Sequence, residues 1–443
     1  MVSCDSDDAY EDLNRDPNNP TTVKADALFT SATVSLFDAL ESTNVNNNIF
    51  RMVSQYWTET QYIDEANFNL QNRNIPQNFW STLYTNVLYD LKNAKSLTTD
   101  TAKLAQIQII EIYTWQILVD TFGDIPYTDA LQGQDGPSPS YDDAETIYNT
   151  LLTNIDVARS GLSAGTGFVE SDVIYGGDLA KWSKFANSIK LKLANRIGDT
   201  AAATAAAAGA FTSNAANANI TYEGSTPNTN PLWVSLVQSG RNDFVPAKTI
   251  VDVMNTKSDP RRAVFFKENL GPDTYLGGVY GDSNAYGLFT HIGGLLLEPT
   301  RKGVLLDYAE VEFLKAAAGI GTAATHYENG ITASFADWGL EAEAAAYIAL
   351  NPFSLQSLAH QFWIAMYNRG FEGWSVYRMY TIHFGDGTDA GHVFQVPADT
   401  QNPIPTRFTY PVNEQTLNQA NYDAASTAIG GDTQTTKIFW DND

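Results

Sequence analysis

The sequence predicts a mainly α fold, a series of helix-turn-helix pairs with a loop-rich half, in a single compact domain. Three observations predict it. Long stretches without Gly or Pro repeat apolar residues at helical spacing. These stretches follow one another as amphipathic pairs. Between some of them lie long segments rich in Gly, Asn and Tyr, and none reads as a linker between independent domains. With 43% apolar residues in 443, the chain can bury a sizeable core, which excludes wholesale disorder.

Residues 22–41, 47–61 and 78–95 open the helical series. Thr101 to Phe122 carries no Gly or Pro. Ile109, Tyr113 and Ile117 recur every fourth residue there, with Ile110 and Leu118 widening the stripe. Gly123 and Pro126 end it. Residues 142–158 repeat the pattern through Ile147, Leu151 and Ile155. Trp182, Phe185, Ile189, Leu193 and Ile197 line one face of the next helix. Its other positions carry Lys181, Lys184, Lys190, Lys192 and Arg196, a solvated basic face or a contact for an acidic partner. The uncharged stretch 200–222 is too polar to span a membrane and reads as an alanine-rich helix running into a polar loop. Further helices are expected at 247–255, 308–318, 333–350, 355–369 and 370–380. Stacked in pairs they suggest a tetratricopeptide-like array, although the period of about 34 residues is not repeated cleanly.

Residues 219–243 and 267–302 are too long for plain connections. Within 270–294, Tyr275, Tyr280, Tyr286 and Phe289 sit among glycines, which suits a binding platform better than a core. The insertions at about 219–302 are therefore the expected ligand-binding half. Residues 1–20 are expected to be a tether and 21–443 the folded domain.

Charge narrows the partners. There are 26 basic and 51 acidic residues, a formal net charge of −25. That field repels nucleic acid, anionic polysaccharides and anionic lipid surfaces. The one cysteine, Cys4, excludes an internal disulfide framework and a Cys-based metal site. Followed by Asp5-Ser6-Asp7-Asp8, it is not a core residue. It is either an exposed terminal thiol or a lipidation cysteine behind the small residue Ser3, with Met1 then an added start and the signal segment trimmed.

No catalytic signature emerges. The five histidines, His291, His326, His360, His383 and His392, have no zinc-helix spacing, and HExxH, GxSxG and GxxxxGK[ST] are all missing. Glu59, Asp64, Glu65 and Asp243 are conceivable members of a glycosidase carboxyl pair, but solvated surface acids are the commoner outcome. No cofactor or metal is expected. The aromatics say more. Trp115, Trp182 and Trp363 fall in helical stripes and belong to the core. Trp57, Tyr62, Trp80 and Trp233 fall at helix ends or in polar surroundings, and Asn67 stands in an amide-rich stretch. Rings that cover the C–H face of a sugar, with amides that pair its hydroxyls, are what neutral glycan recognition requires. The candidate glycan-binding set is Trp57, Tyr62, Asn67, Trp80, Trp233, Tyr280 and Tyr286.

A series of blocks, in order, then resembles one family. Asp12-Leu-Asn-Arg-Asp-Pro-Asn-Asn-Pro-Thr21 opens it, and Asp120-Thr-Phe-Gly-Asp-Ile-Pro-Tyr-Thr-Asp-Ala130 is its most specific motif. Pro139-Ser-Tyr-Asp142, Gly177-Asp178 with Trp182-Ser-Lys-Phe-Ala-Asn-Ser-Ile-Lys-Leu191, Asp259-Pro-Arg261 and Gln361-Phe-Trp-Ile364 follow. Pro405-Thr-Arg-Phe-Thr-Tyr-Pro411 and Phe439-Trp440-Asp441 close it. The chain resembles the SusD/RagB nutrient-binding outer-membrane lipoproteins of Bacteroidetes, in their SusD-like branch. The resemblance implies four tetratricopeptide-like units, a lipidated Cys4, surface exposure and a SusC-like TonB-dependent transporter as partner. It implies oligosaccharide capture without catalysis, and the acidic charge points to a neutral glucan such as laminarin. Peptide cargo, as in RagB-like members, is the alternative. An all-α glycoside hydrolase and a structural adhesin stand further off.

Overall fold

Helices account for most of the architecture. The computed structural model describes residues 23–380, 393–395, 397 and 402–441. Cys4 and the expected tether lie outside the described residues. Helix α1 spans Ala25–Glu41. A short turn of helix, α2 (Phe50–Val53), leads into strand β1 (Trp57–Glu59). Then α3 (Ile75–Ser81), a π-helical stretch (Thr82–Leu88) and α4 (Tyr89–Ser96) run on continuously, and the last two pack against α1.

The array follows. It begins with α5 (Thr101–Phe122) and α6 (Ala144–Gly161), then α7 (Leu179–Arg196) and α8 (Thr200–Ala207). Each begins on an aspartate whose carboxylate accepts backbone N–H groups of the first turn: Asp100, Asp143, Asp178 and Asp199. Gly123, at φ +81°, ends α5 in a conformation that favours glycine.

The loop-rich half comes next: β2 (Ala218–Ile220), α9 (Pro231–Trp233) with a second π stretch (Val234–Gln238), and β3 (Phe244–Pro246). It continues through α10 (Lys248–Thr256), α11 (Arg262–Phe265), β4 (Phe266–Lys267), β5 (His291–Ile292) and β6 (Gly303–Leu306). The strands make three two-stranded sheets, β1–β3, β2–β6 and β4–β5, all antiparallel. Helices resume with α12 (Tyr308–Ala317), α13 (Ala323–Asp337), α14 (Glu341–Leu350), α15 (Leu355–Ala365) and α16 (Gly370–Met379). Two short helices, α17 (Val412–Leu417) and α18 (Gln419–Ala428), precede the C-terminus.

The pairs α5–α6, α7–α8, α12–α13 and α15–α16 pack within themselves and against their neighbours, giving the expected tetratricopeptide-like array. Trp115, Trp182 and Trp363 are in its core as expected. Three expectations need correction. Residues 47–61 are not one helix: Gln55 takes φ +55° and the chain leaves as β1, because pairing with the distant β3 satisfies its backbone. Residues 333–350 are two helices, α13 and α14, separated at Gly339 with φ +74°. The basic face of α7 is not solvated throughout, since Lys192 and Arg196 are buried in ion pairs with Glu310, Glu372 and Asp120.

Candidate functional site

The β1–β3 pair positions the most open aromatic surface. Its register sets Trp57 opposite Pro246, Thr58 opposite Val245 and Glu59 opposite Phe244. The residues beyond its end, 60–62 and 241–243, are therefore neighbours despite their separation in sequence. Thr60 N–H donates to Asp243 O at 2.8 Å and Thr60 Oγ1 to Asn242 O at 2.7 Å. Gln61 Nε2 donates to Asp243 Oδ1 at 3.2 Å, and Arg241 Nε to Asp243 Oδ2 at 2.5 Å. From this stapled turn Tyr62 projects outward, 66% exposed, with φ +56°.

A second aromatic unit lies beside it. Tyr286 and His291 stack with centroids 3.8 Å apart and planes 15° apart. His291 Nε2 approaches Tyr286 O at 3.1 Å, and Ser283 Oγ donates to Thr60 O at 3.0 Å, joining this loop to the first turn. Burial holds the His291 imidazole below its ordinary value, so the stack is uncharged at neutral pH. Arg241, Asp243, Tyr286, His291 and Leu236 border one shallow hollow of about 60 Å³. Trp233, three residues before Leu236, is half-buried and its ring meets no other ring among the described residues. Leu276, Val279 and Leu288 add exposed apolar surface to the same loop.

Of the sequence-derived set, Tyr62 stands exposed on the first turn, Tyr286 borders the hollow with His291, and Trp233 is half-buried on the helix that carries Leu236. The structure puts the other four inside. Trp57 is fully buried, its Nε1 donating to Tyr367 OH at 3.0 Å. Trp80 packs edge-on against Phe122 at 4.9 Å. Tyr280 donates its hydroxyl to Met52 O at 2.7 Å. Asn67 is buried, its Nδ2 donating to Ile63 O and Gly281 O. A ring or amide without an accessible face cannot meet a sugar, so these four are scaffold. Their polar sequence surroundings misled because those neighbours point into capping and loop hydrogen bonds instead. Gln61, Arg241 and His291 went unrecognised as members of the face. No signal in the chain joins them, since their proximity depends on long-range strand pairing.

The carboxylates considered for acid–base chemistry do not flank this face as a pair. Glu59 and Glu65 are buried side by side beneath it, Ala66 N–H donating to Glu59 Oε2 at 3.0 Å and Arg73 pairing with Glu65. Burial, and then repulsion from Glu65, pushes the Glu59 carboxyl up to about 9. Asp64 is exposed and accepts from Asn72 Nδ2 at 3.2 Å. Among the described residues no His, Cys, Asp and Glu cluster could hold a metal ion, and no helix is long and apolar enough to cross a membrane.

A helical array that displays an open aromatic face, with Glu59 and Glu65 buried beneath it, has the arrangement of a binding protein. Residues 17–411 match the model of the SusD-like family described as starch-binding and associating with the outer membrane, and the chain belongs to that family. Carbohydrate binding is what the family description and the names of two solved relatives state. A chitin-binding SusD homologue from Flavobacterium johnsoniae superposes with a TM-score of 0.79 at 22% identity, over 94% of this chain and 98% of that one. Another chitin-binding protein gives 0.80 at 24% identity, over 95% and 100%. A SusD homologue from Bacteroides uniformis gives 0.77 at 24%, over 94% and 99%. No curated protein matches the chain significantly.

Proposed function

We propose that this glycan-binding protein captures a neutral oligosaccharide on the Tyr62–Tyr286–His291 face and delivers it to a SusC-like TonB-dependent transporter. The observation that carries the reading is the outward Tyr62 ring on a turn joined by Ser283 to the loop of the uncharged Tyr286–His291 stack, which Arg241 and Asp243 border. A sugar ring stacks through its C–H face on such planes, and the guanidinium and carboxylate pair its hydroxyls. Each ring contact contributes roughly 0.5–1.5 kcal/mol. A few of them with hydrogen bonds give an affinity of about micromolar to millimolar, weak enough for onward transfer. The net charge of −25 favours an uncharged ligand. A glucan such as laminarin fits, and so do chitin oligosaccharides, the ligand class for which two structural relatives are named. Lipidation of Cys4 would hold the protein at the outer membrane, where effective concentration offsets weak binding.

Affinity electrophoresis of the soluble protein across neutral and anionic polysaccharides tests this. Retardation by a neutral glycan, without release of reducing ends, is the expected result. Binding of peptides with no retardation by any glycan would replace sugar by peptide cargo. Stronger retardation by uronic or sulfated glycans would overturn the charge argument.

A further inference from the structure

A larger cleft, of about 470 Å³, opens on the other side of the 231–238 helix from the aromatic hollow. Val234 and Ser235 line the cleft, whereas Leu236 lines the hollow, so one helical segment divides the two. The remaining walls come from α1, the 42–47 turn and the Thr82–Leu88 stretch. Its volume falls within the roughly 300–1,000 Å³ of small-ligand sites.

Two features set it apart from an ordinary surface groove. The two π-helical stretches among the described residues, Thr82–Leu88 and Val234–Gln238, both border it. Such turns are rare and concentrate at functional sites. The second feature is a polar group without a partner. Thr229 lines the cleft at 5% exposure, and its Oγ1 makes no hydrogen bond to the described residues. Buried hydroxyls are ordinarily paired, so this one leaves a hydrogen bond unused at the cleft wall.

The lining chemistry selects the ligand. Asn47 and Asn86 present amides that make no side-chain hydrogen bond to the described residues, and they stand at the half-buried wall and the exposed rim. Asp38 accepts from Tyr222 OH at 2.9 Å through Oδ1, which leaves Oδ2 for a second donor. Phe79, Pro227 and Pro231 supply apolar surface. No Lys or Arg lines the cleft, so phosphate or carboxylate ligands would find no counter-charge. A single carboxylate is too little to hold a divalent cation. What fits is an uncharged ligand with many hydroxyl or acetamido groups and a partly apolar face.

We propose that this cleft is a second carbohydrate site, holding one end or a branch of a neutral glycan through Thr229, Asn47, Asn86 and Asp38. Its ligand class rests on the glycan-capture reading, but its position does not depend on the aromatic face. The two sites on either side of one helix would engage separate units of a chain and so raise affinity without tight binding at either.

The test uses the full chain and two disaccharides, laminaribiose and N,N′-diacetylchitobiose, by calorimetric titration at high protein concentration. Thr229→Val keeps the shape of the side chain and removes the hydroxyl. Asn86→Ala removes a rim amide that makes no side-chain hydrogen bond to the described residues. Each should weaken binding of the disaccharide that the wild type takes by about fivefold, the loss of one hydrogen bond, with an unchanged melting temperature. Variants that bind as the wild type does would overturn the second site. So would a wild type that binds long glucan or chitin chains but neither disaccharide. Both of those results leave glycan capture standing. A wild type that binds no glycan of any length would remove both.

Discussion

Tyr62 holds a left-handed backbone conformation that few non-glycine residues adopt, and it spends that conformation on presenting a ring to solvent. The turn is secured by backbone and side-chain hydrogen bonds at Thr60 and Gln61, not by the ring. Tyr62→Ala should therefore weaken glycan binding about two- to tenfold, the value of one ring contact, and leave the melting temperature unchanged. Trp80→Ala should do the reverse. Its ring is packed among Tyr84, Phe122 and Tyr141, so truncation should cost about 3–5 kcal/mol in urea unfolding. Glu59 offers a pH test. Burial raises its folded-state carboxyl above the ordinary value, so its stabilising contribution is complete below about pH 4.5 and is lost as pH rises through about 9. Glu59→Gln keeps the shape and removes the titration. Between pH 6 and 9 the melting temperature of the wild type should fall relative to that of the variant. Parallel curves for the two would mean that Glu59 ionises freely in the folded protein.

At the scale of elements, the sequence was most legible where one helix supplies its own signals. α5 begins on Asp100, whose carboxylate accepts Lys103 N–H at 2.9 Å, and ends at Gly123, with its apolar spacing unbroken between them. The site was less legible because its parts meet through β1 and β3, short strands with little periodicity of their own. Composition located the loop-rich half but could not tell Tyr280, which turns inward to Met52, from Tyr286, which stays at the surface. The start of α13 was hidden for another reason. Gly330 lies inside the helix and reads as a breaker, yet it is there for packing. A Cβ on it would come within 2.8 Å of the Phe313 ring, which is fully buried against Phe362. Gly330→Ala should thus lower the melting temperature. Overpacking of about 1–3 kcal/mol outweighs a helix-propensity gain of at most ~1 kcal/mol. A rise instead would show that the Phe313 ring yields.

Across the whole molecule, one buried polar centre ties the four helix pairs together. Asp120 of α5 accepts from Tyr148 of α6 and, at 2.7 Å, from Trp440 Nε1 near the C-terminus, and it pairs ionically with Arg196 of α7. Lys192 of α7 reaches Glu310 of α12 at 3.0 Å and also Glu372 of α16. Arg196 meets Glu372 at 3.1 Å, and Arg369 pairs with Glu310 and Asp307. The family-like blocks around Asp120 and Trp440 thus meet in space, with Lys192 and Arg196 of α7 beside them, and their role here is to set how the pairs sit against one another. Ion pairs taken out of water add little net stability, but removing one partner leaves the others uncompensated. Glu372 is the sharpest place to test this. Burial raises its carboxyl, yet Lys192, Arg196 and Arg369 outweigh that and hold it below its ordinary value. Its contribution is therefore present above about pH 4.5 and lost as pH falls through the folded-state value. Glu372→Ala at neutral pH should cost about 3–5 kcal/mol in chemical unfolding, because Lys192 and Arg196 keep their charge in the interior. Replacing Lys192 by Met in the same chain should recover part of that loss, since it removes one of the stranded cations. An unchanged unfolding midpoint in the single variant would mean that Asp120 and Glu310 suffice to compensate the cations without Glu372.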